Sequence, residues 1–142
     1  METSEPGKVQ VVAAILEREG KFLVGKRAAH KRSAPGFWCT ITGRVEAGET
    51  EAVAVVREVL EETGLRVRPV EEIARTDTRD GSASIHWWVV GSLDDAPARL
   101  LGDEHTELRW VSVEEMRCLD PVFPEDVEIF ARLVARRTAA EP

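Results

Sequence analysis

Apolar residues run almost unbroken from Val9 to Leu16, a pattern that predicts a strand buried on both faces. Glu19-Gly20 suits a tight turn, and Lys21 to Lys26 predicts a second strand, so residues 9–27 read as a hairpin. The basic stretch from Ala28 to Gly36 ends in Pro-Gly and reads as a loop. A short strand is expected over Phe37 to Thr42, then a structured loop over Gly43 to Glu49. Thr50 to Thr63 is the clearest helix: helix formers throughout, no internal Gly or Pro, Thr50 placed to cap it and Gly64 to end it. Glu49 and Glu51 lie at the positive end of its dipole. Its apolar face is expected to hold Ala52, Val55, Val56 and Val59.

Two further strands are predicted over Arg66–Thr78 and Ala83–Gly91, with Asp80-Gly81 in the turn between them. Asp94 to Asp103 reads as a loop and Leu108 to Val111 as a strand. Ser112 and Glu115 form the sequence signature of a capping box opening a short helix, Val113 to Leu119. A Pro-containing loop follows, then an amphipathic helix over Glu125 to Arg137 with Val127, Phe130, Ala131 and Val134 on one side. This order of elements predicts an α+β fold, a mixed β-sheet flanked by helices. The expected organisation is a flexible leader over 1–7, a single domain over 8–138 and a flexible tail over 139–142.

Composition narrows the class. With 142 residues, 43 % hydrophobic and 32 % charged, the chain suits one globular domain. No apolar run approaches the roughly 20 residues that span a bilayer, and no signal peptide is evident. Cys39 and Cys118 stand far apart, which argues against a disulfide framework or a cysteine zinc site and makes a reducing cytoplasm the simplest location. A net charge of -7 suits a protein poorly to long nucleic acid, but not to a small phosphorylated ligand bridged by metal ions.

Glu58, Glu61 and Glu62 fall at i, i+3 and i+4 on the best helix, so the three carboxylates share one face. That repulsion, about 0.2–0.5 kcal/mol per exposed pair, is tolerable on a solvated acidic face and is equally well offset by a divalent cation with hard oxygen ligands. The neighbours decide between the two. Gly43, five residues, Glu49, seven residues, then Arg57-Glu58-Val59-Leu60-Glu61-Glu62-Thr63-Gly64-Leu65 reproduce the Nudix signature without a gap. Each fixed type occurs at about 5–7 % of positions, so seven in register by chance fall below roughly one in a million. The chain is therefore identified as resembling the Nudix hydrolases (MutT-like). Supporting features are the strand pair at 9–27, Gly36-Phe37-Trp38, and Leu108-Arg109-Trp110-Val111.

The resemblance implies an α/β/α sandwich and Mg²⁺-dependent hydrolysis of nucleoside diphosphates linked to a further group, with Mn²⁺ as a possible substitute. It implies Glu58 and Glu62 as principal metal ligands, and Glu61 as a further ligand or the base that activates water. The backbone carbonyl of Thr42 would add another ligand. Arg57 and Glu49 would lock the loop onto the helix, while Gly43, Gly48 and Gly64 would be structural. A second acidic site is expected from Glu104, six residues before Trp110, with Glu107 weaker. One departure stands out: where the family often has Leu-Pro-Gly-Gly, this chain has Thr40-Ile41-Thr42-Gly43.

Substrate contacts are less specific. Arg27 faces phosphates or simply braces a solvated loop; Phe37 and Trp38 stack a base or join the core; Asp126 is a candidate base reader. Trp87 and Trp88 must point to opposite faces of their strand. His30, His86 and His105 carry ordinary surface or core expectations, and Cys39 that of a buried thiol. The expected activity is that of an enzyme on a small nucleotide, first a (deoxy)nucleoside triphosphate, with dinucleoside polyphosphates, ADP-ribose and nucleotide sugars as alternatives. A sensing module without turnover would be expected to lack motif carboxylates, and this chain keeps them all. No membrane or long nucleic-acid partner is expected, and the assembly is a monomer or homodimer.

Overall fold

The structure, a computed structural model, describes residues 7–140. The expected leader lies outside the described residues apart from Gly7, as do the last two residues of the expected tail. The elements are β1 (Val9–Arg18), β2 (Lys21–Arg27), β3 (Trp38–Cys39), β4 (Ile41–Arg44), α1 (Glu51–Thr63), β5 (Val67–Asp77), β6 (Ala83–Ser92), β7 (His105–Val111), α2 (Val113–Arg117) and α3 (Pro124–Ala140).

β1 organises the molecule. It runs antiparallel to β4 on one side and parallel to β6 on the other, with β5 beyond β6. Strands paired and covered in this way lose the polar alternation of a half-exposed sheet. Val12 to Leu16 are accordingly all buried. Side chains alternate across a strand, so β1 feeds two cores. Ala13 and Ile15 join Phe22, Trp87, Met116 and Phe130 on the side of α2 and α3. Val12, Ala14 and Leu16 join Ala54, Val55 and Val59 on the side of α1. Trp87 and Trp88 divide between the two cores as their adjacency requires. A mixed sheet with helices on both faces is the expected α+β sandwich.

Several expectations need correction. The 9–27 hairpin is real only at its turn, where Glu17 faces Phe22 and Arg18 faces Lys21; β2 then leaves β1 and pairs with β3 and β7. The strand expected over 37–42 is two strands broken at Thr40, whose hydroxyl turns inward to the carbonyl oxygens of Ala14 and Leu23. β7 begins at His105, three residues before the expected Leu108. α3 extends through Ala139 and Ala140, so the start of the expected tail is helical. Its inner face carries Ile129 and Leu133, while Val134 is 38 % exposed.

On α1, Thr50 accepts from the Val53 amide and Gly64 takes the left-handed conformation that closes the helix. Of the expected face, Val55 and Val59 are buried and Val56 packs against the core, and the buried set also takes in Ala54, Glu62 and Thr63. Glu62 is thus turned inward. At the same end, the amides of Leu101 and Arg99 donate to the carbonyls of Glu62 and Thr63. Those carbonyls would otherwise be among the unsatisfied groups of a helix terminus.

Candidate active site

Arg57 is the fastening of the site. It presents a bidentate fork to Glu49, Nε to Oε2 at 2.6 Å and Nη2 to Oε1 at 2.9 Å. It also donates to the Arg44 carbonyl at 3.0 Å, to Glu58 at 2.8 Å and to Glu61 at 3.2 Å. Glu49 accepts additionally from the Glu46 amide. Charge-assisted forks of this kind fix direction as well as distance. The Arg57 hydrogen bonds, then that amide, hold the Glu49 carboxyl down at about 2. The loop carrying Gly48, at φ 79°, is thus clamped to the helix bearing the acids.

Gly43 sits in β4, opposite Val12. A Cβ there would lie 1.9 Å from Glu58 Cδ, so the glycine is the room in which the Glu58 carboxyl sits. Burial raises Glu58 above the ordinary carboxylate range despite Arg57. Thr42, beside it, is aligned with Ala13 in the same ladder.

Glu62 is 7 % exposed, and its Oε1 has no hydrogen-bond partner. Burial, followed by the charges of Glu104, Glu58 and Glu61, pushes it up to about 7. Glu104 approaches from the loop before β7, pinned by Lys31 at 2.7 Å and lowered mainly by that bond. Glu61 is the exposed member, at 55 %. The charges of Glu58, Glu61 and Glu104 therefore bear on Glu62 from α1 and a distant loop, and an oxygen of Glu62, the deepest, has no hydrogen-bond partner. Buried polar atoms are ordinarily satisfied. The donor set, all hard oxygen, fits a divalent cation.

Sequence reasoning missed His105. It is 5 % exposed, neither ring nitrogen has a partner, and Nδ1 lies 3.5 Å from Glu62 Oε1. Burial, then the Arg27 charge, lowers it to about 4, so at neutral pH the ring is uncharged beside the acid. Gly25 makes space for it: a Cβ there would stand 2.6 Å from the ring. The only signals were adjacency to Glu104 and a glycine in β2, neither of which singles out a histidine.

The expected substrate contacts gather only partly. Arg27 spends its guanidinium on Ser33, bracing the basic loop. Phe37 stacks on Phe123 at 4.4 Å, and Arg79 covers the Phe123 ring at 4.9 Å. Trp38 is corrected to the core: it is 5 % exposed, with Arg109 over its ring at 4.8 Å. Cys39 is half-buried; burial raises its thiol to about 11, opposed by Arg27.

Asp126 is raised to about 6, chiefly by burial and then by Glu125. An acid raised in the folded state leaves stability intact below its unfolded value of 3.8 and erodes it as pH climbs through 6. The full cost is on the order of 2–3 kcal/mol. Asp126→Asn is therefore expected to match the wild type in melting temperature near pH 4 and exceed it increasingly up to pH 7. A gap independent of pH would remove the buried-acid account.

Comparison with known proteins agrees with this geometry. The family model for the NUDIX domain matches residues 7–133. A CTP pyrophosphohydrolase from Escherichia coli (strain K12) is 37 % identical over 92 % of this chain and 95 % of its own. The solution structure of the E. coli ORF135 protein superposes with a TM-score of 0.72 at 33 % identity, covering 94 % of this chain and 93 % of that one. The crystal structure of a MutT protein from Methanosarcina mazei Go1 reaches 0.79 at 26 % identity, covering 98 % and 100 %. With the unbroken signature, the sandwich fold and a family model spanning most of its length, the chain belongs to the Nudix hydrolase family.

Proposed function

We propose that this Nudix hydrolase cleaves a phosphoanhydride bond of a (deoxy)nucleoside triphosphate, releasing pyrophosphate, with Mg²⁺ as its ion and Mn²⁺ as a substitute. The observation that carries the reading is the partnerless, buried oxygen of Glu62 amid Glu58, Glu61 and Glu104. Glu58 and Glu62 would hold the ion, with Glu104 and the Thr42 carbonyl completing the set. The ion would neutralise phosphate charge and acidify a bound water.

The remaining work falls to the chain. Arg57, held by Glu49, offsets the mutual repulsion of Glu58 and Glu61 and orients both carboxylates. Glu61, the most open of the helix acids, is assigned to receive the proton of the attacking water. His105 backs Glu62 and excludes water from behind it. Phe37, Arg27 and Asp126 are assigned to contact the nucleoside. The functional unit is a single domain over residues 8–138. No helix among the described residues is long and apolar enough to cross a membrane, and a cytoplasmic location accords with the two free thiols.

The E. coli relative is named for CTP, so pyrimidine triphosphates head the test panel. Phosphate release is measured across the panel, through added pyrophosphatase for nucleoside triphosphates and through an added phosphatase that acts on the monoester products of ADP-ribose, a nucleotide sugar and a dinucleoside polyphosphate. Metal-dependent turnover fastest with a triphosphate is expected. Faster turnover of one of the others would replace the substrate class. Tight nucleotide binding without turnover of any compound would replace the enzyme with a sensing module.

A further inference from the structure

At the opposite end of α1 from Glu62 lies a second grouping that the hydrolytic site does not use. Glu51 from the first turn of α1, Glu72 from β5 and His86 from β6 bring one ligand atom each to within 4.8 Å of one another. His86 is 2 % exposed. Its Nδ1 stands 3.1 Å from Glu51 Oε2 and 3.1 Å from Glu72 Oε2. Nε2 is 2.7 Å from the Gln10 amide oxygen.

An amide oxygen accepts, so Nε2 faces Gln10 as the donor and Nδ1 is the ring nitrogen left toward the two carboxylates. Three ligand atoms from three elements converge on one point, and a cation placed between them satisfies all three at once. Ligands at about 2.0–2.1 Å around a tetrahedral centre stand roughly 3.3–3.4 Å apart, close to the two spacings observed.

The surroundings orient the donors. Trp88 Nε1 donates to the other Glu51 oxygen at 3.0 Å, and the Gln10 contact fixes the ring, as the outer partners of metal-bound histidines do. Arg75 is an opposing cation among the described residues, reaching Glu72 Oε2 at 3.5 Å from an exposed position it can vacate. Glu51 and Glu58 lie two helical turns apart, a rise of about 10 Å, so the grouping is separate from the motif acids.

We infer that Glu51, Glu72 and His86 form a second metal site, selective for a zinc-like ion and distinct from the hydrolytic carboxylates, that pins the start of α1 to β5 and β6. Imidazole with two carboxylates suits Zn²⁺, Co²⁺ or Ni²⁺, whereas the all-oxygen motif acids suit Mg²⁺.

The test titrates Zn²⁺ into the protein against a chelating dye, with millimolar Mg²⁺ present throughout. Wild type, Glu62→Gln, Glu72→Gln and His86→Gln are compared, and Co²⁺ absorption reports coordination. One equivalent should bind to wild type and Glu62→Gln alike, at least tenfold more weakly to Glu72→Gln and not to His86→Gln. Hydrolysis by Glu72→Gln should stay at the wild-type rate. If His86→Gln does not fold, Glu72→Gln and the ¹⁵N resonances of the His86 ring in wild type carry the test: Zn²⁺ must shift Nδ1. Equal Zn²⁺ affinity in Glu72→Gln and wild type, loss only in Glu62→Gln, or no Zn²⁺ bound at all would overturn the site and leave His86 as a hydrogen-bonded core histidine.

Discussion

Glu62→Gln is expected to lower kcat/KM by about 10³-fold, because an ion that contributes several kcal/mol to the transition state loses its deepest ligand. The same change should stabilise the metal-free protein. Glu62 is held at about 7 by burial and by three neighbouring acids, above its ordinary 4.5. The sign follows: stability is intact below 4.5 and is lost as pH rises through 7, when the crowded carboxyl ionises. In chelator, the variant should melt with the wild type near pH 4.5 and above it at pH 8. Added Mg²⁺ should raise the wild-type melting temperature at pH 8 and leave the variant almost unmoved. Activity lost without that opposite movement in stability would point to misfolding rather than to a missing ligand.

Gly43→Ala is expected to have the second-largest effect. The added methyl would fall 1.9 Å from Glu58 Cδ, so the carboxyl must leave the space where it now rests. Displaced supporting geometry typically costs 10–100-fold in metal affinity or activity. Here kcat/KM should fall about 100-fold, and the Mg²⁺ concentration for half-activation should rise at least about tenfold. Overpacking of this kind costs about 1–3 kcal/mol, so the variant should still fold. Initial-rate titrations with Mg²⁺ and a melting curve decide it; a folded variant with wild-type metal dependence would remove Glu58 from the ligand set.

Much of this was legible in the sequence because the motif couples local and distant demands. Residues Gly43, Glu49, Arg57 and Glu58 contact one another within a short stretch, so spacing alone predicts their meeting. The capping box at Ser112 and Glu115 is equally local, and it is present. What stayed hidden depends on long-range pairing. The continuous apolar run of β1 announced burial but not that its partners would be β4 and β6, since periodicity carries no address. Trp38 reads equally as base-stacker or core until β3 is seen tied to Pro121 and Val122. His86 and His105 look alike in sequence. One faces two carboxylates across three elements; the other lies unpaired behind Glu62. Only the register of β6 and β7 distinguishes them.

The hydrogen bonds from Leu101 and Arg99 to the last carbonyls of α1 bear on how the enzyme opens. They make the helix and the segment leading to Glu104 one mechanical piece, hinged to nothing between. Lifting that segment would strip two acceptors from the helix end while drawing Glu104 away from Glu62. The basic loop is tied to the same piece, because Lys31 holds Glu104 by both carboxylate oxygens, so moving either bank disturbs the acids and their spacing is set by the fold.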